Sequence, residues 1–214
     1  MSREGIPTIL GLLAFTVLVG AVGLLYNVAS LIILGSISLL LLLFATYFFR
    51  DPKRVHPAQP NCVVSPADGV VIEVDTIKED EFIEQPTKRI AIFLSLLDVH
   101  VNYAPYGGVV DFIRFQRGDN MRANLPAASH QNANILTGLE TAQGRIAFKQ
   151  STGMIARRLV NHLRLGDNVE TGQKFGIIKF GSRMEVFLPM HAHVNVTIGD
   201  RVRAAETVIA EFDG

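Results

Sequence analysis

The sequence predicts a mainly β protein: a compact barrel or sandwich of short strands with lipoyl-like repeat units, preceded by an N-terminal pair of apolar helices. Three observations support this fold class. Residues 5–49 contain no Asp, Glu, Lys, Arg or His, and all but two of the acidic and basic side chains lie in residues 50–214. Short β signals fill that charged part, and an eight-residue pattern within it recurs after 33 residues. This division excludes a plain soluble protein, a disordered chain and a polybasic nucleic-acid binder.

The uncharged run is long enough for two membrane crossings, because a bilayer core about 30 Å thick needs about 20 helical residues. The polar stretch Tyr26–Ser30 is the natural turn, so residues 1–49 are interpreted as a membrane hairpin with helices near 7–25 and 29–49. A single re-entrant or interfacial segment is the weaker alternative. A secretory signal peptide fits poorly, because its apolar part spans only about 7–15 residues.

The orientation of this hairpin follows from the cations at its two ends. Arg3 precedes the first helix, Arg50, Lys53 and Arg54 follow the second, and the turn has none. The positive-inside rule therefore places both ends, and the domain that follows, on the cytoplasmic side of the cell membrane.

A linker of residues 50–62, which contains Pro57 and Pro60, leads to a β domain of residues 63–214. Its apolar runs and turns predict several strands and one hairpin. The predicted strands are Val70–Val74, Arg89–Leu97, Val109–Phe115, Asn134–Thr141 and Arg145–Gln150. Residues 154–163 fit a helix or a strand, while residues 78–88 and 117–132 are predicted loops.

The repeat consists of residues 165–172 and 198–205, each with a Gly-Asp turn, a valine two residues after the Asp and a short apolar strand beyond. Glycine accepts a positive φ, and the aspartate can bind the backbone nearby. Two such units predict a pseudo-symmetric β domain of the kind found in lipoyl-type proteins. The repeat alone indicates a fold and decides no function.

Few residues could carry chemistry. Asp68 precedes a glycine in a turn, and His100 ends a buried strand; on composition alone, both are ordinary structural residues. Imidazole titrates near neutrality, however, so His100 is also a candidate general acid or base. His191 and His193 could share one strand face as zinc ligands, but no third ligand is evident. The lone Cys62 excludes a disulfide scaffold and a cysteine-based zinc site.

Five motifs occur in order along the chain: Phe49–Pro52, Ser65–Gly69, Asp98–Asn102, Gly153–Arg158 and Gly176–Arg183. They resemble those of the short-form phosphatidylserine decarboxylases, and the resemblance covers essentially residues 49–214. Gly181-Ser182-Arg183, in the last motif, resembles the self-cleavage site of that family.

This resemblance implies that Ser182 attacks the carbonyl of Gly181 and becomes a covalent pyruvoyl group, the cofactor of the family. The products would be a β chain of residues 1–181 and an α chain of the remaining 33 residues, held together as a heterodimer. The resemblance makes Asp68 the candidate base for self-cleavage. The pyruvoyl group would form a Schiff base with the amine of phosphatidylserine, which loses carbon dioxide to give phosphatidylethanolamine. His100 is then the candidate proton donor, or else it positions the substrate carboxylate.

The sequence departs from the family at two places. Longer members have a second histidine three residues after the first, where this chain has Tyr103. Many short forms have an Asn-Glu-Arg-Asn segment, of which only the last Asn, Asn134, is matched, so Asn134 is the candidate substrate-binding residue. The resemblance does not distinguish diacyl from archaeal ether lipids, and it leaves the oligomeric state open.

Two other functions compete with this hypothesis. One is a membrane-anchored zinc hydrolase that uses His191 and His193. It would need further ligands, and its domain would lie outside the cytoplasm. The other is a non-enzymatic lipoyl-like adaptor domain, which would remain a single chain.

Overall fold

The computed structural model divides the chain into two units, residues 1–52 and 53–214. It describes residues 1–57, 59, 61–119, 121–154, 158–179 and 182–213.

The first unit is the predicted helical hairpin, with α1 at Ile6–Leu25 and α2 at Ala29–Phe48. Asn27 makes the turn with a φ of 51°, a left-handed conformation that asparagine tolerates. Inside the hairpin, the hydroxyl groups of Thr16 and Ser38 form a hydrogen bond of 2.7 Å between the helices. Both helices are long and apolar enough to cross a membrane.

The second unit is mainly β. Its described residues form one short helix and fourteen strands: β1 Cys62–Val64, β2 Gly69–Lys78, β3 Pro86–Leu94, β4 Val101–Tyr103, β5 Gly108–Gln116, α3 Ala128–Gln131, β6 Asn134–Thr141, β7 Gly144–Ser151, β8 Arg158–Asn161, β9 Asn168–Val169, β10 Lys174–Lys179, β11 Ser182–Leu188, β12 His193–Val194, β13 Arg201–Val202 and β14 Val208–Glu211.

These strands form a curled, half-barrel sheet and two smaller sheets, and all the strand pairs are antiparallel. The large sheet has the order β13-β2-β3-β11-β7-β6-β5-β9, and the small ones have the orders β1-β14-β12 and β4-β10-β8. The central strand β11 is buried along its whole length between β3 and β7.

Strand β3 ends three residues earlier than the sequence predicts. Residues 95–98 turn instead, because the Asp98 carboxylate accepts hydrogen bonds from both the backbone N and the hydroxyl of Ser95. The ambiguous segment after Met154 contains strand β8, while residues 155–157 lie outside the described part of the chain. The predicted loop at 117–132 contains the short helix α3.

The repeat has the same backbone geometry in both copies. Gly166 and Gly199 have φ angles of 85° and 99°, and the last residues of the copies, Gly172 and Ala205, have φ angles of 75° and 60°. Each copy supplies a two-residue strand at one end of the large sheet, β9 or β13, and then the middle strand of a small sheet, β10 or β14. The predicted pseudo-symmetry is therefore present.

The symmetry extends to the whole β domain, because β4–β10 correspond in order to β1–β3 together with β11–β14. One half is thus inserted into the other, between β3 and β11. The chain crosses between the halves twice, between β3 and β4 and between β10 and β11.

Candidate active site

The predicted site residues that the structure describes collect at one end of the large sheet. Val70, Phe93 and Arg183 form one row across β2, β3 and β11. Asp68 lies two residues before Val70, and Ser182 lies one residue before Arg183. Neighbouring strands are about 4.8 Å apart, so the start of β2 lies about 10 Å from the start of β11.

Ser182 is the first residue of β11 and is completely buried. Its hydroxyl oxygen has no hydrogen-bond partner among the described residues. A buried hydroxyl group without a partner is costly, so such groups are often functional. Gly181, the predicted other side of the cleavage site, lies outside the described residues.

Asp68 is held by Arg54, a residue that lies outside the five motifs. Arg54 Nη2 lies 2.7 Å from both carboxylate oxygens of Asp68, and the backbone N of Ala204 donates to Oδ1 at 2.8 Å. Burial alone would lower the pKa of Arg54, but its bond to Asp68 raises it, so the guanidinium stays charged. In the sequence, Arg54 is indicated only as one of the cations that follow the second helix, with no sign that it contacts Asp68.

Backbone packing fixes the position of Asp68. At Gly69 a Cβ atom would lie 2.2 Å from the backbone O of Phe93, so only glycine permits this close approach of β2 to β3. The Asp-Gly pair therefore brings the carboxylate to the edge of the row that contains Arg183.

His100 lies in the first crossing between the two halves and is only 1% exposed. Its Nδ1 is 2.9 Å from the backbone O of Asp98. Because a carbonyl oxygen only accepts, Nδ1 carries the proton, and Nε2 is the atom that gains or loses one. The backbone N of Ile178 donates to the backbone O of His100, which ties this residue to the segment four residues before Ser182.

Asn134 begins β6 and lies in the same row as Arg183, through Ser151 on β7. It is buried, and its side-chain amide donates to the backbone O of Asn132 at 3.0 Å. The described contacts thus place Asn134 near this end of the sheet, and its predicted role in binding substrate stays a prediction.

Several buried polar side chains near β11 are missing from the sequence-based site. Gln150 and Ser151 pair with Met184 and Arg183 in the sheet, and the Gln150 amide donates to Asn102 Oδ1 at 3.0 Å. Among the described residues, Ser151 Oγ, Gln150 Oε1 and Asn102 Nδ2 have no hydrogen-bond partner. Gln150 lies on the same face of the sheet as Ser182, whereas Ser151 lies on the face of Arg183. Asn102 belongs to a recognised motif, whereas Gln150 and Ser151 had no signal beyond their polarity in a strand.

A buried network of charges begins directly after Ser182. Arg183 and Glu185, both completely buried, form an ion pair of 2.8 Å, and Lys149 contacts the other oxygen of Glu185 at 2.8 Å. Burial alone would raise the pKa of Glu185, but Lys149 and Arg183 lower it to about 2.

Acid is expected to destabilise the β domain through Glu185. Its pKa falls from 4.5 to about 2 on folding, so its contribution is fully present above pH 4.5 and is lost as the pH falls toward 2. A shift of this size corresponds to about 3 kcal/mol. Urea unfolding at a series of pH values measures it, and a free energy of unfolding that does not change across this window would contradict it.

His191 and His193 are both exposed. His193 Nε2 lies 3.2 Å from Asp213, and the His191 ring packs against Phe212. Within the described ranges, no group of three or more His, Cys, Asp or Glu side chains is placed to hold a metal ion. The zinc hydrolase hypothesis therefore gains no third ligand from the described residues.

The sequence profile of the phosphatidylserine decarboxylase family matches residues 41–210. This match includes every candidate residue at the end of the large sheet. The chain belongs to the phosphatidylserine decarboxylase family, whose members are carboxy-lyases.

Similar proteins of this family cover nearly the whole chain. A phosphatidylserine decarboxylase proenzyme of Desulfotalea psychrophila is 40% identical over 213 residues, which are 99% of this chain and 96% of the relative. One of Chlorobium phaeobacteroides is 38% identical over 209 residues, 98% of each chain. One of Syntrophus aciditrophicus is 42% identical over 171 residues, 79% of this chain and 80% of the relative.

Proposed function

We propose that this protein decarboxylates phosphatidylserine to phosphatidylethanolamine with a pyruvoyl group that it makes by cutting itself between Gly181 and Ser182. The observation that carries the proposal is the Ser182 hydroxyl, which is buried at the start of the central strand without a partner among the described residues. The relatives described above are named proenzymes, which supports a processing step.

In the cleavage step, Ser182 Oγ attacks the carbonyl carbon of Gly181, and the peptide bond becomes an ester. Loss of the proton from Ser182 Cα breaks the Cβ–O bond and releases the carboxylate of Gly181. The unsaturated residue 182 then takes up water and loses ammonia, which leaves a pyruvoyl group as the new N-terminus. No external oxidant is required, because elimination and hydrolysis account for every atom.

Asp68 is the proposed base for this step. Two hydrogen bonds from Arg54 and one from Ala204 hold its carboxylate in one orientation. Arg54 is therefore proposed to position Asp68 rather than to react.

The surroundings of residue 182 suit a pyruvoyl group, because Gln150 lies on the same face of the neighbouring strand and is bonded to Asn102. Gln150 Oε1 and Asn102 Nδ2 have no partner among the described residues and can bind a substrate. The group would supply an electrophilic carbonyl for the substrate amine and accept the electron pair released with carbon dioxide. His100 is proposed to deliver the proton to the Cα of the decarboxylated headgroup, from Nε2 of its imidazolium form. Asn134 is proposed to help bind the headgroup.

The helical hairpin is proposed to hold the enzyme at the membrane that contains its substrate, with the β domain on the cytoplasmic side of the cell membrane. The length and apolar character of α1 and α2 support the anchoring. The cations at both ends of the hairpin support the orientation. The partners are then the phospholipid, the membrane and the two chains produced by the cut.

Intact mass spectrometry of the purified protein tests the proposal. We expect two chains, the smaller one beginning at residue 182 and lighter by one ammonia than simple hydrolysis would give. Its N-terminus should be blocked to Edman sequencing, and the sample should release carbon dioxide from phosphatidylserine in detergent micelles. An uncut chain of 23.5 kDa that releases none would contradict the proposal.

A further inference from the structure

The proposed cut would leave residue 182 at the free end of a strand. Among the described residues, Ser182 pairs only with Leu94 of β3, since the pairing of β11 with β7 begins at Arg183. Strand ends fray when few contacts hold them. A reactive group at this end has to stay in place through many turnovers, so some interaction must replace the lost peptide bond.

The next residue, Arg183, carries such an interaction. Its guanidinium contacts both carboxylate oxygens of Glu73 on β2, at 3.0 and 2.6 Å, and it is completely buried. This two-bond geometry fixes both the distance and the orientation of the guanidinium. Glu73 reaches Arg183 past the small side chain of Ala91, which lies between β2 and β11 in the sheet.

Every ion pair of Arg183 and Glu185 with the rest of this network crosses the proposed cut. Residues 182–214 supply Arg183 and Glu185, and residues 1–181 supply the others. The three cations are Arg89, Lys149 and Arg183, and the three carboxylates are Glu73, Asp75 and Glu185. The network is neutral, and departure of the small chain would take Glu185 from Lys149 and Arg183 from Glu73.

Stability alone does not account for such a network, because well-packed apolar residues often serve a fold as well as buried ion pairs do. Buried charges do penalise displacement: a slip of β11 by one residue would turn Arg183 away from Glu73 and Glu185 away from Lys149, so that both contacts across the cut are lost. We propose that Glu73 and Arg183 form a positioning pair that holds the pyruvoyl end of the small chain in the mature enzyme. This inference depends on the self-cleavage proposed above.

The pair should matter far more after the cut than before it, because the intact backbone holds residue 182 in the uncut chain. The test compares Glu73→Gln in the cut protein with the same change in the Ser182→Ala background. In the cut protein we expect kcat to fall by up to roughly 100-fold, as it does when a reacting group is misplaced by about 1 Å. We also expect the lowering of the thermal midpoint to be at least about twice that in the uncut background.

Asp75→Asn is the matched control. Asp75 binds Arg89 through both oxygens, but both residues lie on the same side of the cut. The Asp75→Asn change should therefore lower the thermal midpoint of the cut and the uncut protein equally. If Glu73→Gln yields no folded protein, Glu73→Asp replaces it, because it keeps the charge on a shorter side chain. Its effects are again compared between the cut protein and the Ser182→Ala background. Equal effects of the Glu73 change on cut and uncut protein would overturn this inference and leave the proposed function standing. A wild-type chain that stays uncut would overturn both.

Discussion

Replacing Ser182 with alanine is expected to leave one uncut chain of 23.5 kDa without decarboxylase activity. Alanine has no oxygen to attack the carbonyl of Gly181, and no pyruvoyl group can form from it. The change removes one buried oxygen that has no partner among the described residues, so the fold should be kept. Gel electrophoresis and intact mass report the cut, and release of carbon dioxide from labelled phosphatidylserine reports the activity.

Ser151→Ala is the control for this experiment. Ser151 is also buried, its oxygen also lacks a partner among the described residues, and it pairs with Arg183 in the sheet. This variant keeps the nucleophile and should still be cut. If Ser182→Ala were processed like the wild type, the cleavage site would lie elsewhere and the proposed mechanism would be wrong.

Replacing His100 with glutamine is expected to separate the two reactions that we propose, self-cleavage and decarboxylation. Glutamine can keep a hydrogen bond to the backbone O of Asp98, which His100 Nδ1 contacts at 2.9 Å, but it cannot deliver a proton near neutral pH. Self-cleavage should therefore proceed, while decarboxylation by the cut enzyme falls by roughly 10²- to 10⁴-fold, the usual contribution of a general acid. The cut fraction and the rate per cut molecule are measured on the same sample.

The reciprocal variant is Asp68→Asn, which leaves the ion-pair partner Arg54 in place but removes the base. It should slow self-cleavage, while the molecules that do become cut should turn over at close to the wild-type rate. If His100→Gln remained uncut, or if Asp68→Asn were cut normally, the roles assigned to these two side chains would have to be exchanged or abandoned.

The sequence predicts the local elements of this fold well. The two helices follow from the length of the uncharged run, and the hairpin of β6 and β7 follows from two strand patterns separated by a short turn. The positive φ angles of Gly166 and Gly199 follow from the Gly-Asp pattern. The helices, the hairpin and these φ angles all depend on residues close together in the chain. A short sequence pattern records such local dependence directly.

The insertion of one half into the other could not be predicted from those patterns. The two halves have similar sequences only in the repeat at 165–172 and 198–205. The insertion shows in the pairing of β3 with β11, which are separated by about ninety residues of chain. Register between distant strands depends on the packing of the whole sheet. For the same reason Arg54 and Glu73 could not be placed beside Asp68 and Arg183 from sequence alone.

The site shows the same division. The motifs indicate Asp68 and His100, and the structure brings both to the end of the sheet where Ser182 begins β11. Their roles remain predictions, because a motif transfers chemistry only by resemblance. The charges around Glu185 had no local signal, since its partners Lys149 and Arg89 come from strands far away in the chain.

The position of β11 between β3 and β7 has a consequence for refolding. The last strand of the domain, β14, pairs with the first, β1, so the chain must be nearly complete before the fold can close. Under the proposed cleavage the protein folds once as a single chain and is then divided. A mature enzyme that loses its 33-residue piece would expose two central strand edges, which invite aggregation. Its lifetime would then depend on the rate at which it unfolds and not on an equilibrium that it can re-enter.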